Sequence, residues 1–470
     1  MDTPYLNQLL EASERHVLPP AVLEAAARIA AERAWVEELL QQGHVNSIYG
    51  FNTELGHRDF VTVDPKAGPD FQKAIFASHH MRPSYARGVY PRAVASLIGY
   101  VKAFQLSRGG SGISSEAYAR IVQKVTNPEF CPRIPAGQSY SSGDVLPATH
   151  WVSAVFDLDG SAPYALKPGD MIALINGNFV HTALAADNYR ELKQLTQYVV
   201  VSGAYAGRLC ELARINYLRD LPRDKEAAQK SLDYLVRTAD GRKSLSTSPQ
   251  RAVSIRAIPD VIIEFCSARH ALGREIEMLI PTQSANPLFD LARKEVFSSP
   301  GFLAIGLALA QNKMIETLLL VLRVSVARLS FILSGRVAGI PEDGWDPTAE
   351  AGLGFIQVPK ELTAVVEAAY QAYGRRGFAS GGATSYGIED LWTQGEALSR
   401  DIHKLSLIAR DVLRREIAVY EVVSRRCVPA RSMGLCPEGS RKGLGMVAEL
   451  HFVEDVLRGL KGLTTEDLGD

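Results

Sequence analysis

Cysteine is scarce in this chain. Five occur in 470 residues (Cys131, Cys210, Cys266, Cys427 and Cys436), an odd number, widely spaced and without a CxxC pair. Such a set builds neither a disulfide framework nor a cysteine zinc site, and it fits a reducing, cytoplasmic setting. HExxH is absent and the ten His are scattered, so no metal centre is indicated. There is no GxGxxG after a strand, no Walker loop to cradle a nucleotide, and no GxSxG elbow to begin a Ser-His-Asp hydrolase. Surplus charge of one sign is missing as well. With 51 Lys+Arg against 52 Asp+Glu, the chain has neither a broad basic field for nucleic acid nor an acidic tail. The most apolar stretch, Ile315 to Leu333, is interrupted by Arg323 and Arg328. It is too polar to span a bilayer and suits a buried or interfacial helix. The opening residues, MDTPYLNQLLEASERH, carry charges where a signal peptide has its apolar core.

What is present is ordinary globular material: 46% hydrophobic and 22% charged residues, a balance that excludes a disordered chain. At about 150 residues per domain the length allows roughly three domain-sized portions, or one elongated helical body with lobes. Residues 20–42 are Ala- and Glu-rich behind a Pro, a good helix opening. Residues 44–70 read as a loop. Helices are predicted over 71–82 and 90–106, a turn over 107–112, and irregular backbone over 127–144, where Pro132, Pro135, Gly137 and Gly143 fall. From residue 188 helical periodicity dominates. Gly301 to Ser334 reads as one long helix, apolar all round, which implies burial between neighbours; 359–374 forms another. A Gly/Ser/Thr loop over Gly381 to Gly387 leads into a long helix from about Ile388 to Arg425. The pattern predicts a mainly α protein in two parts: an irregular N-terminal lobe over 1–190 and a long-helix bundle with C-terminal helices over 191–470.

Several short segments carry chemistry. Gly137-Gln-Ser-Tyr-Ser-Ser-Gly-Asp144 is, by itself, a turn-forming run. Met171-Ile-Ala-Leu-Ile-Asn-Gly-Asn178 contains Asn-Gly, a turn pair, yet an amide flanked by apolar residues is costly to bury unless it is used. Tyr49-Gly-Phe-Asn-Thr53 and Leu106-Ser-Arg-Gly-Gly-Ser-Gly112 lie upstream, and Gln250-Arg-Ala-Val-Ser-Ile-Arg256 downstream. In this order and spacing the segments resemble the histidine and phenylalanine ammonia-lyase family, from about Ser47 to Arg425. Ser78-His79, in Phe71-Gln-Lys-Ala-Ile-Phe-Ala-Ser-His79, resembles the histidine type, as does Glu389 in Tyr386-Gly-Ile-Glu-Asp390.

The resemblance implies a fold, a cofactor and an assembly. The fold is the ammonia-lyase (fumarase/aspartase-like) architecture of long, near-parallel helices, with the 1–190 lobe carrying both the cofactor loop and the tyrosine loop. Family members are homotetramers whose active sites draw on three subunits. The cofactor is 4-methylidene-imidazol-5-one (MIO), made from the chain itself. Gly143 would attack the Ser141 carbonyl, and Ser142 would lose its hydroxyl to become the methylidene; glycine tolerates the strained backbone this needs. Asp144 matches a supporting Asp. Tyr49 matches the base on a loop over the site, a phenol that must be ionised by positive potential or hydrogen bonds, since its pKa in water is about 10. Asn176 would contact substrate and ring, Arg256 would grip a substrate carboxylate, and Gln250 would orient the bound molecule. His79 and Glu389 would meet a polar side chain or the amine; a helix histidine paired with backbone, a surface Arg and an acid answering a helix dipole are the structural alternatives.

The chain also departs from the family. Ser141 replaces the usual Ala, Val253 the usual Tyr, and Glu54-Leu55-Gly56 a Gly-Phe-Gly. The expected activity is elimination of ammonia from a polar or histidine-like α-amino acid. A 2,3-aminomutase, an MIO-lacking amine lyase of the ergothionase type, and a non-catalytic scaffold stay open beside it. The expected partner is a small amino acid, with no nucleic acid, membrane, metal or nucleotide.

Overall fold

The computed structural model describes residues 3–42, 47–64, 67–81, 88–218, 226–239, 250–345, 353–374 and 384–434. Cys436, residues 381–383 of the Gly/Ser/Thr loop and the C-terminal residues 435–470 lie outside them. The protein is mainly helical, at 65% helix, and among the described residues the one sheet is a hairpin pairing Leu288 with Phe297 and Asp290 with Glu295.

Two compact units emerge, neither continuous in sequence. The first comprises residues 1–188, 272–311 and 377–400; the second comprises 189–271, 312–376 and 401–470. The first crossing falls between residues 188 and 189, and the segments 272–311 and 377–400 group with residues 1–188. Four of the crossings occur inside the long helices Phe179–Leu209, Ile258–Leu279, Ile305–Ile332 and Gly395–Cys427.

The first unit is built around Arg92–Leu106, a helix buried along nearly its whole length from Val94 onward. The helices Pro4–Arg15 and Ser115–Val125 pack on it. Ser115–Val125 starts where the sequence supplies a cap: the Ser114 side chain accepts the Ala117 amide, with Glu116 in the first turn. The helices Gly68–His79, Val145–Phe156 and Asp170–Ile175 pack on one another and bury Ile75, Trp151 and Phe156. The N-terminal 190 residues are therefore more helical than their Gly and Pro content implied.

In the second unit the long helices enclose a polar cluster. Arg328, buried, donates to Glu416 at 3.0 Å and to Ser202 at 2.9 Å, and Tyr420 donates to Glu416 at 2.6 Å. Arg323 faces solvent and pairs with Glu367. Both charges that interrupt the apolar stretch thus have partners. Among the described residues no helix is long and apolar enough to cross a membrane.

Three helix boundaries differ from expectation. Residues 20–42 form two helices, Pro20–Leu23 and Ala26–Gln41. Gly301–Leu303 is a separate 3-10 turn, split from Ile305–Ile332 by Ala304 at φ 48°. The last long helix begins at Gly395, not Ile388. Ser385, Tyr386 and Gln394 adopt positive φ, and Glu389 pairs back to Thr384 as an isolated bridge, so the backbone before Gly395 cannot be helical.

Candidate active site

The loop over 137–144 is held inside the first unit. Ser141 is fully buried and Ser142 is 6% exposed. Ser141, Gly143 and Asp144 have φ of 64°, 90° and 51°, a left-handed succession that folds the chain tightly back on itself. At Gly143 a Cβ would also lie 2.8 Å from Asn176 Oδ1, so glycine is required there for space as well as conformation. Among the described residues the Gly143 amide has no hydrogen-bond acceptor, and the Ser141 carbonyl accepts only a long 3.5 Å bond from Thr393. Neither atom that a ring closure must join is locked into a backbone ladder, so the triad fits the MIO chemistry.

Asn176 is delivered by the short helix Asp170–Ile175. It is the C-cap residue, with extended φ/ψ, and its Nδ2 donates to the Asn286 carbonyl at 3.2 Å, which turns Oδ1 toward Gly143. Lys102 fixes that helix end. Its fully buried ammonium donates to the carbonyls of Ala173 (2.7 Å) and Asn176 (3.3 Å) and lies 4.5 Å from the centre of the Phe179 ring. Burial lowers its pKa to about 7.

Tyr49 is seated against the same helix. Gly50, at φ 71°, comes so close to Ile172 that a Cβ would sit 2.9 Å from its side chain. The Tyr49 hydroxyl accepts the Gly56 amide at 3.0 Å. Of the two aids expected to ionise the phenol, positive potential or hydrogen bonds, the Gly56 amide supplies a hydrogen bond. Burial pushes the phenol above its ordinary pKa, the Gly56 amide opposes this, and the charges of Glu389 and Asp59 push it further up. Glu389 therefore does reach the neighbourhood of Tyr49, from a loop rather than a helix start. Its Oε2 accepts from Tyr140 (3.0 Å), Thr384 (2.9 Å) and Ser385 (2.7 Å).

Two further carboxylates hold the 137–144 loop, and sequence reasoning gave a role to only one of them. Asp144, fully buried, accepts from Ser139 Oγ, from the His181 amide at 3.1 Å and from His181 Nδ1. Burial alone would raise its pKa; the His181 charge and these bonds bring it below the usual carboxylate range. Glu396 accepts the amides of Gly137 and Ser139 and the Tyr90 hydroxyl, while its own amide donates to Ser141 Oγ at 2.9 Å. Burial, with Asp144 nearby, raises Glu396 against the effect of its donors. Tyr90, His181 and Glu396 were missed because none falls in a quoted motif, and Tyr140, though inside the 137–144 run, carried no role there because its partner Glu389 is 249 positions away.

A model of the family described as Aromatic amino acid lyase matches residues 6–420. The chain belongs to that family. As an aromatic amino acid lyase it is a carbon–nitrogen lyase. It is similar to a histidine ammonia-lyase of Burkholderia lata, with 27% identity over 367 residues, covering 72% of this chain and 70% of the relative. Its fold is similar to that of ergothionase from Treponema denticola (TM-score 0.82, 15% identity, 99% and 98% of the two chains). It is equally similar to phenylalanine aminomutase of Pantoea agglomerans (TM-score 0.81, 17% identity, 98% of each).

Three further residues singled out from the sequence of this lyase are His79, Gln250 and Arg256. Its His79 ends the helix Gly68–His79, half-buried, and Nδ1 donates to the Ile75 carbonyl at 2.8 Å. No hydrogen bond or ring contact joins His79 to Tyr49, Asn176 or the 141–143 loop among the described residues. Gln250 and Arg256 belong to the second unit. Both are exposed, and Val253, in the slot of the family tyrosine, is 68% exposed.

Proposed function

We propose that this lyase is an MIO-dependent ammonia-lyase that eliminates ammonia from a polar, histidine-like α-amino acid to give an α,β-unsaturated acid. The observation that carries the reading is the buried turn over 141–144, left-handed at Ser141, Gly143 and Asp144 and set against Asn176, with Tyr49, Tyr140 and Glu389 grouped beside it. When closed, the ring supplies an electrophile that makes the substrate amine a better leaving group. Tyr49 takes the β proton. Asn176 orients the substrate's carboxylate end, and Glu389, as an acceptor-only group, meets the cationic amine or a polar side chain. Gln250 and Arg256 join the substrate in the assembled homotetramer, where Arg256 pairs with the carboxylate. His79, with Nδ1 committed to Ile75, offers Nε2 to a polar substrate terminus.

The test combines a mass and a product. The peptide spanning Ser141 to Gly143 is expected two waters lighter than its sequence, and the enzyme is expected to release ammonia from histidine or another polar amino acid. A light peptide with a β-amino product would make the protein an aminomutase. An unmodified peptide with amine release would make it a lyase of the MIO-lacking kind. An unmodified peptide with no turnover over a broad amino-acid panel would leave a scaffold role.

A further inference from the structure

Ser141 is the residue at which the triad departs from Ala-Ser-Gly, and its hydroxyl is not idle. It is fully buried and accepts the Glu396 amide at 2.9 Å, at the first turn of the helix Gly395–Cys427. The side chain of that same Glu396 returns across the gap. One carboxylate oxygen takes the Gly137 amide and the Tyr90 hydroxyl, and the other takes the Ser139 amide at 2.6 Å. The two segments therefore grip each other reciprocally, in the manner of a capping box but between strands of chain 255 residues apart. On the far side of the loop, Ser139 Oγ accepts the Ser141 amide at 2.8 Å and donates to Asp144. Every polar group of Ser141 is thereby engaged, its carbonyl the least so.

We propose that Ser141 and Glu396 are positioning residues for ring formation: their reciprocal clamp presets the Ser141 carbonyl for attack by the Gly143 nitrogen. The proposal rests on the MIO reading above. In the step it serves, a bond forms between Gly143 N and Ser141 C, and the Ser141 carbonyl oxygen leaves as water with the amide hydrogens of Gly143 and Ser142. The Ser142 hydroxyl leaves as a second water with the Ser142 Cα hydrogen, creating the methylidene. No oxidant or cofactor is needed. The contribution of the clamp is orientation, since holding two reacting atoms in line removes part of the entropic barrier. The bond from the Glu396 amide to the Ser141 hydroxyl is the one arm of the clamp that an Ala at 141 could not make, and the Glu396 carboxylate supplies the others through Gly137 and Ser139.

The experiment follows the two-water mass deficit with time in freshly synthesised protein, reading only the folded fraction. Wild type is compared with Ser141→Ala, Glu396→Gln and the double variant. Glu396→Gln is expected to slow dehydration at least tenfold, because one of its terminal groups becomes a donor facing an amide. Ser141→Ala is expected to slow it several-fold, and the double variant no further than Glu396→Gln alone, as coupled groups require. Tyr420→Phe, in the second unit, is a control that lowers thermal stability without changing the dehydration rate of folded protein. Should Glu396→Gln fail to fold, Ser141→Ala carries the test, since it only removes one hydroxyl. Dehydration of Ser141→Ala at the wild-type rate overturns the clamp while leaving the MIO reading intact. A wild-type peptide that never loses water overturns both.

Discussion

Tyr49, the base proposed here, has neighbours that set its working range. A phenol can take a proton only once it has lost its own, and here burial first, then the charges of Glu389 and Asp59, hold the proton on. The rising limb of kcat/KM with pH should therefore follow Tyr49 and lie on the alkaline side, above the ordinary phenol value of about 10 unless substrate or neighbouring subunits add positive charge. Removing the negative charge in Glu389→Gln relieves part of that upward shift. The limb is expected to move to lower pH, even where the overall rate falls because Glu389 also meets substrate. A pH series of kcat/KM measures this, and a limb that stays in place would separate Glu389 from the base. Tyr49, Asn176, Glu389 and the triad could each be named from short motifs because each sits in a run of residue types that chemistry constrains. The clustering of Tyr140 with Glu389 could not, since the two are 249 positions apart.

At the scale of an element, the six-residue helix Asp170–Ile175 is too short to hold itself in place, and its caps determine where Asn176 points. Asp170 is fully buried at its start and accepts the Ser114 amide and hydroxyl and the Lys167 amide, each at 2.8 Å. Lys102 closes the other end. The Lys102 pKa of about 7 lies below the 10.5 of an unfolded chain. Between those values the unfolded chain binds more protons than the folded one, so this residue makes stability rise with pH across the window. Below about 7 both states are protonated, and the full penalty for burying the charge is felt. In Lys102→Met this linkage disappears. The thermal midpoint of wild type relative to the variant is expected to climb as pH goes from about 7 towards 10, and calorimetry over that range checks it. The variant should also bind substrate more weakly, as Asn176 loses its anchor. Periodicity found the long helices but placed their ends poorly, and it did not single out Asp170–Ile175. The start of Gly395–Cys427 was misjudged because left-handed residues at 385, 386 and 394 override a locally helical sequence.

At the scale of the whole molecule, the helix Ile305–Ile332 is apolar beyond the needs of one chain. Expected to be buried all round, it instead leaves one face open, with Ile305 46%, Leu309 54% and Leu320 38% exposed. Lys313 and Glu316 share that face. Large apolar side chains in such a row are what an oligomer covers. For the homotetramer proposed here, Leu309→Arg is expected to yield smaller species by light scattering while the helical content stays unchanged. Activity should fall with assembly, because the proposed function has Gln250 and Arg256 join the substrate in the homotetramer. An assembly unaffected by Leu309→Arg would place the interface elsewhere.

Helix content and the turn-forming run around Ser141–Gly143 followed from residue order alone, because each depends on neighbours within a few positions. The absence of metal, nucleotide and hydrolase motifs was equally a matter of local pattern. The grip between Ser141 and Glu396, the pairing of Asp144 with His181, and the shifted proton affinities of Tyr49 and Lys102 were decided only on folding. They depend on which side chains arrive together across long stretches of chain, and on how completely water is then excluded from them.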